Sequence, residues 1–512
     1  MTNNMMSNIN KNKLNMSKLE QQYSTGKKIQ RPSDDPIVAV RALKLRTNLS
    51  ELKQYHEKNI PDALSWMDVT EAAMTTVNSL LKEINTYCVQ GSTDTLTAKD
   101  RSAIVQNLEE MKAQIYHEGN TNYAGRYVFT GYKTDSSLIF DKDRTDLSYD
   151  ITETQTGSQI EFGRSVVGSY ELEDFEDALE DFSAAPKLVE YRRIQLSYDK
   201  LDGRIQLSYD KLDGAIGGLS YIVSEENNDP VTVFPGANII TTSLTDDTVN
   251  HYQPNADYIH YQPNADYIHF IPETGELILG ENVFNQLKNV DKINITYTKD
   301  NFKEGELKPE HYFDCVLTDP EKPDPITFTR PENKQEIQYE VNYNQKLTVN
   351  TEGAEAFSHK IGRDIDEILN AVNDVVATEE KIAQVKERLK DTNLPEADRK
   401  KYNKMLEQLD TELELKKEVM QEAFERGNTT SSVEQNQLNM ALADLGSRYL
   451  RLELTENRLS SQKVDFEELL SNNEDVDIVD TVIKFGAAEV VYNASLNAAS
   501  RVVQNSLLDF LR

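Results

Sequence analysis

Few residues in this 512-residue chain have the type and spacing to do chemistry. Of its seven histidines, His251 and His260 are equivalent positions of a duplicated segment and His269 follows the second copy, so no zinc-ligand spacing arises. A surface-loop position is the expectation for all three. The adjacent carboxylates Asp34 and Asp35 have the charge to hold a cation. They stand directly before Pro36, however, where side-chain oxygens cap a helix and answer its dipole. GKK at 26–28 lacks the strand and preceding glycine of a phosphate cradle, and the chain contains no GxSxG, no HExxH and no dinucleotide fingerprint. No catalytic residue, metal or cofactor is therefore expected. Cys88 falls on an apolar helical seam far in sequence from Cys315, which predicts a buried free thiol rather than a disulfide.

The elements around Asp34 and Asp35 explain more than the carboxylates do. Met5, Ile9, Asn12, Met16, Leu19 and Tyr23 alternate in steps of four and three, one face of a coiled-coil-like helix. Gly26 can leave that helix through positive φ, and Pro32 disfavours helical backbone just before it. Ser33, Asp34 and Asp35 offer capping oxygens, and Pro36 suits the first turn of a second helix. Two helices thus meet at a charged corner, Tyr23–Pro36. Arg31, Asp34 and Asp35 are candidates for contacts that set its angle, against the simpler reading that they only cap.

Composition bounds the rest. With 55 Lys and Arg against 87 Asp and Glu, the net charge is −32, so nucleic acid is not an expected partner. Mean hydropathy of −0.62 and the lack of a long uncharged apolar run predict no membrane insertion. The polar start MTNNMMSNINKNK has no signal-peptide core. That agrees with a cytoplasmic protein, or with export that uses no cleaved signal.

After Pro36 the seam resumes at Val38, Ala42, Leu45, Leu49 and Leu52, with an interruption expected at Pro61. The cleanest stripe follows: Met67, Thr70, Met74, Val77, Leu81, Ile84 and Cys88. Thr97 and Asp100 predict a capping box for a helix carrying Ile104, Leu108, Met111 and Ile115. From Tyr123 the texture changes to short β-branched and aromatic segments such as NYAGRYVFTGY, GELILG (275–280) and KINITYT (292–298). The acidic piece 170–182 has helical spacing with a solvated face. RIQLSYDKLDG (193–203 and 204–214) and HYQPNADYI (251–259 and 260–268) are identical tandem duplications, too short and too few for a solenoid. They suggest a region that tolerates insertion.

Helix returns at Ile361, and DTNLP (391–395) divides a charged helical hairpin, 379–426. RGNTTSS (426–432) is expected to be a linker and SNNEDVD (471–477) a pause. The last helix carries Phe485, Tyr492, Leu496, Leu507, Leu508 and Phe510 on its apolar side. With Ile9, Met16 and Leu19 at the other end, these are the candidate packing residues of two terminal helices. The fold class expected is α+β: long coiled-coil-like helical arms built from both chain ends, with an inserted β-rich middle domain.

TNNMMSNINKN (2–12), QYSTGKKIQRPSDDP (22–36) and NYAGRYVFTGYKT (122–134) resemble the N-terminal region of the hook-associated protein 3 family of the flagellin superfamily. DLGSRYLRLELTENRL (444–459) and YNASLNAASRVVQNSLLDFL (492–511) resemble its C-terminal helices. The large middle domain and the hairpin 379–426 depart from the family's usual pattern. The resemblance implies a structural, non-enzymatic subunit joining flagellar hook to filament, extracellular and carried out through the flagellar export channel. Its partners would be copies of itself, adjacent hook-associated protein and flagellin subunits, and an export chaperone. It also implies a division into an inner-layer helix (1–30), an N-terminal arm (31–134), a variable β-rich domain (135–352), a C-terminal arm (353–477) and a second inner-layer helix (478–512). Filament flagellin is the alternative; an adhesin or glycan-binding module in the middle domain, and an enzyme there, rank below it.

Overall fold

The computed structural model describes residues 2–93, 96–168, 185–201, 219–224, 230–241, 265–331, 333–392 and 394–510. The acidic piece 170–182, the second RIQLSYDKLDG copy, the first HYQPNADYI copy and most of the second lie outside them, with His251 and His260. The chain divides into two compact units: residues 1–64, 338–347 and 448–512, and residues 65–337 and 348–447.

The first unit holds both ends of the chain. Helix α1 (Thr2–Thr25) is followed by the corner and by α2 (Pro36–Gln54). Pro61 does not break the rod. A π-helical turn, Tyr55–Asn59, leads directly into α3 (Ile60–Gly91), and this widened turn lets the proline ring enter without ending the helix. The last stretch of helix α8 (Glu396–Glu474) and the terminal α9 (Ile478–Phe510) complete the helical part. Ion pairs Lys53–Glu467 (3.0 Å) and Lys463–Glu57 (2.7 Å) tie α8 to α2 and to the π turn. A β hairpin across 338–348 packs on that turn, where Asn59 donates to the Glu340 carbonyl at 2.8 Å.

The second unit joins a helical layer to two sheets. Every residue of the stripe Met67 to Cys88 is buried in α3, which is why that run was legible as a helix face. Helix α4 (Ala98–Glu118) starts on the expected Thr97–Asp100 box. The short hairpin of β1 (Asn122–Tyr123) and β2 (Arg126–Tyr127) turns on Ala124 and Gly125, both at positive φ.

The larger sheet is antiparallel and includes β3 (Arg144–Gln155), β6 (Ser220–Ile222), β7 (Thr232–Val233), β11 (Lys292–Phe302), β12 (Asp314–Thr318) and β13 (Ile326–Phe328). A five-stranded sheet contains β4 (Glu161–Val167), β5 (Lys187–Gln195), β8 (Ile239–Thr241), β9 (Ile268–Ile271) and β10 (Glu276–Leu279), with β8 and β9 parallel. The sheets bury a shared core of Ile151, Ile194, Phe270, Leu277, Ile295 and Phe302, against which α5 (Glu281–Leu287) also packs. These β elements and the flanking helices make the protein α+β.

The C-terminal helices differ from expectation at two places: in residues 426–432, and in the expected pause 471–477, of which α8 takes the first four residues and leaves only 475–477 as the break. After α6 (Gly353–Ala356), helix α7 (His359–Leu389) turns antiparallel onto α8 around Ile382, Val385, Met405 and Leu409. Residues 426–432 are not a linker: α8 runs through them without a break. Gly427 lies so close to α7 that a Cβ there would stand 2.8 Å from Ile368, and Thr429 and Ser432 bond back to carbonyls one turn earlier. Close packing overrides the turn-like composition. The first RIQLSYDKLDG copy is also no surface loop over its described part: Arg193, Ile194, Leu196, Tyr198 and Leu201 are buried. Both cysteines are free and buried, and burial pushes each thiol up to about 12. Among the described residues no helix is long and apolar enough to cross a membrane, and no three His, Cys, Asp or Glu side chains are grouped to hold a metal ion.

Candidate functional site

Gly26 leaves α1 at φ +68°, the left-handed conformation that lets the chain turn out of a helix at little steric cost. The residues that follow do not stand alone. They pair, as a single antiparallel bridge, with the break between α8 and α9. The Lys28 amide donates to the Glu474 carbonyl (2.7 Å), and the Val476 amide donates to the Gly26 carbonyl (2.9 Å). The two corners of the chain's two ends are therefore one construction.

An ionic cluster sits on that bridge. Lys27 Nζ lies 2.5 Å from both Glu474 and Asp475, and Arg46 from α2 reaches the second Glu474 oxygen at 2.6 Å. Lys28 donates to the Asn472 carbonyl (2.6 Å), and Asn473 to the carbonyl of Val38 (3.1 Å). Hydrogen bonds from Lys27, then Ser471, hold the Asp475 carboxyl below its ordinary range; bonds to Asp475, then Glu474, raise Lys27.

The residues singled out from sequence take more local roles. Asp34 accepts from the amides of Gln30 (3.1 Å) and Arg31 (2.9 Å), and these bonds lower its pKa. Asp35 is the N-cap of α2, accepting from Ile37 (3.1 Å) and Val38 (3.2 Å), with Pro36 in the first turn. Pro32 and Ser33 are exposed in the turn. Arg31 is exposed too, and its guanidinium makes no hydrogen bond or ion pair among the described residues. Lys27, Arg46, Glu474 and Asp475 were not found by sequence reasoning. Their signal was the charge in GKK and NNED, read as a weak phosphate motif and as a pause.

Helices α1 and α9 pack against each other, and Asn12 donates to Ser495 at 2.9 Å. Ile9 is buried; Met16, Leu19, Phe485 and Tyr492 are half-buried, and Leu496 is exposed. Leu507, Leu508 and Phe510 lie on the last turns of α9. One apolar row is thus shared between the helices while a second faces water: Val479, Ile483 and Val490 on α9, and Ile37, Val40 and Leu43 on α2, are each at least half exposed. Burying such a side chain is worth about 1.5–3 kcal/mol.

The second unit contains another charged site. A cavity of about 440 Å³ is lined by β4, β5, β10, α7 and α8. At its wall Arg193 binds Glu276, Glu367 (2.5 Å) and Glu161 (3.2 Å), Arg426 pairs with Glu367 (2.6 Å), and Lys360 with Glu161 (2.9 Å). Arg426 also reaches Glu422 at 3.4 Å, and the network joins sheet to helices.

Residues 1–134 match the family profile of the bacterial flagellin N-terminal helical region. The chain is similar to hook-associated protein 3 of other bacteria and to a flagellin. It is 29% identical over 163 residues to the flagellar hook-associated protein 3 of Salmonella typhimurium, covering 32% of this chain and 50% of that one. A flagellin of Clostridium tyrobutyricum is 34% identical over 121 residues, 24% of this chain and 32% of the relative. The chain spans about half the length, or less, of the curated relatives it matches. A solved flagellar hook-associated protein of Vibrio parahaemolyticus aligns over 86% of this chain and 100% of its own, at 11% identity and a TM-score of 0.34, too low to establish a shared fold.

Proposed function

We propose that this chain is a structural subunit of the bacterial flagellum that joins hook to filament. It assembles through its paired terminal helices and has a structural rather than catalytic role. The observation that carries the reading is the joined corner beneath a helix pair whose outer apolar row is left in water. A soluble monomer has little reason to keep such a row, and neighbouring subunits would cover it. In this proposal residues 1–30 and 478–512 form an inner layer, the remaining helical segments an outer one, and the corner sets the angle between them. Arg31, whose guanidinium has no hydrogen bond or ion pair among the described residues, is then available to a neighbouring subunit. Extracellular placement, export with a chaperone, and contacts with hook-associated protein and flagellin subunits belong to the same proposal.

Antibody labelling of intact cells tests it: a band at the base of each filament is expected, and label along the whole filament would instead favour the flagellin reading, which the Clostridium match keeps open. Removing Asn493–Arg512 should leave a soluble protein that does not enter the flagellum. Normal incorporation of that truncation would overturn the assembly model.

A further inference from the structure

In strand β11 alternate residues face the core: Ile293, Ile295 and Tyr297 are fully buried. Lys299 continues this inward row, with none of its side chain exposed. An ammonium at an interior strand position is expensive unless it is well paired. Its surroundings are aromatic, with Nζ 5.2 Å from the ring centre of Phe302 and 5.7 Å from that of Tyr198. Its polar contacts are the Asp199 carbonyl, which accepts at 2.8 Å, and the Glu306 carboxyl at 3.7 Å. One carboxylate at that distance is poor compensation for a fully buried charge.

The turn after β11 brings Glu306 back to Lys299. Gly305 takes φ +87°, the Glu306 amide donates to the Lys303 carbonyl (3.2 Å), and the Glu306 carboxyl accepts from the Lys303 amide (3.3 Å). A third group is in place. Asp199, held by Arg363 at 3.4 Å, acts electrostatically on both the amine and the carboxyl. A cavity of about 60 Å³ lined by Tyr198, Asp199, Glu306, Leu307 and Arg363 opens beside the carboxyl, enough for a water molecule.

We propose that Lys299 and Glu306 condense to an intramolecular isopeptide bond, making this turn a covalent cross-link. The proposal does not rest on the assembly role. In water an ammonium and a carboxylate do not react, because the nitrogen lone pair is occupied by a proton and the carboxylate is a poor electrophile. Burial lowers the pKa of Lys299 and raises that of Glu306, both in the direction of neutral amine and neutral acid. The Nζ lone pair then attacks Cδ of Glu306, forming the C–N bond while the carbonyl electron pair moves to oxygen. Nitrogen loses a proton, which Asp199 relays to the departing hydroxyl. The C–O bond breaks, the carbonyl re-forms and one water leaves. Atoms and charge balance with no oxidant or co-reactant, and two buried ionisable groups are replaced by one amide.

Intact-mass measurement and tryptic digestion of the purified full-length chain test this. The expected result is a mass lower than the sequence mass by one water. Digestion should give a branched peptide that joins Ile293–Lys303, uncut after Lys299, to the segment beginning at Glu304. Lys299→Arg and Glu306→Ala should each abolish both signatures. A native chain of full sequence mass that releases free Ile293–Lys299 overturns the proposal. If neither variant folds, the wild-type measurement alone still decides.

Discussion

Glu474 and Glu276 expose the same 6% of their side chains, yet they serve clusters of different kinds. The partners of Glu474 are Lys27 and Arg46, exposed at 39% and 56%, so water and salt reach the pair from one side. Glu276 binds Arg193, itself only 4% exposed and further enclosed by Glu161 and Glu367. For Glu276, burial pushes the pKa up, and Arg193, Thr274 and Arg363 together more than offset it, leaving the carboxyl below its ordinary range. The corner cluster is thus a contact that can be adjusted after folding; the Arg193 cluster is formed with the fold or not at all. A joint that must settle its angle against neighbours suits the first construction. A wall between sheet and helix suits the second.

The sharpest way to break this contrast is to remove one member of the dry cluster. Arg193→Ala strands buried carboxylates and should cost about 3–5 kcal/mol in urea unfolding. That loss should change little between low and high salt, because the site is shielded from counter-ions. A loss below about 1 kcal/mol, the range of exposed pairs, would make the two clusters equivalent and end the comparison.

Acid should next separate the corner from a dry core position of the second unit. His359 sits among Tyr198, Tyr312 and Phe313, with ring centres 4.9, 4.7 and 5.4 Å away, and burial, then Arg363, pushes its pKa down to about 3. A histidine that stays neutral when folded costs nothing above the unfolded value near 6.5. Below it the unfolded chain binds the proton and stability falls. By pH 5 this amounts to about 2 kcal/mol. Asp364, raised to about 6 by burial and then Glu367, works oppositely by taking up a proton in the folded state. Comparing wild type with His359→Phe isolates the histidine: their stability difference should shift by about 2 kcal/mol between pH 7 and pH 5. No shift would mean that the ring is not dry. At the corner, Lys27 is raised and Asp475 lowered, so that ion pair persists throughout this window.

Glu474→Gln should cost less, about 1–2 kcal/mol after allowing for its exposed partners, and the loss should shrink as salt is added. Flagellar incorporation should suffer far more than melting does. Equal losses at low and high salt would show that the corner is as dry as the Arg193 site.

How much of this was legible follows from sequence distance. The stripe from Met67 to Cys88 and the Thr97–Asp100 box are local patterns, and the structure carries both. The α+β class followed from the change of period after Tyr123. Pairing of Lys27 with Glu474 spans 447 positions, and nothing in a charge pattern names a partner that far away. Gly427 appeared to end a helix because its neighbours are turn-formers; its tight seat against Ile368 is a tertiary fact. Lys299 was hidden by its position just past the strand-like KINITYT, where a lysine ordinarily marks a strand's solvated end.

Within the corner itself the two adjacent aspartates sharpen the contrast at the smallest scale. Asp35 caps α2, so Asp35→Ala should lower stability by about 1 kcal/mol and weaken assembly only in proportion. Asp34 instead folds the turn back on the amides that carry Arg31, and its carboxyl is exposed. Asp34→Ala should therefore leave the monomer's melting nearly unchanged while it lets Arg31 point elsewhere, and Arg31→Ala should reproduce its effect. Incorporation into the flagellum, scored beside monomer melting, separates the two roles. Loss of assembly without loss of stability in both variants makes Arg31 a contact to a neighbour. Parallel loss of both properties would reduce Asp34 to a second cap, and the angle would then rest on Lys27, Arg46 and Glu474.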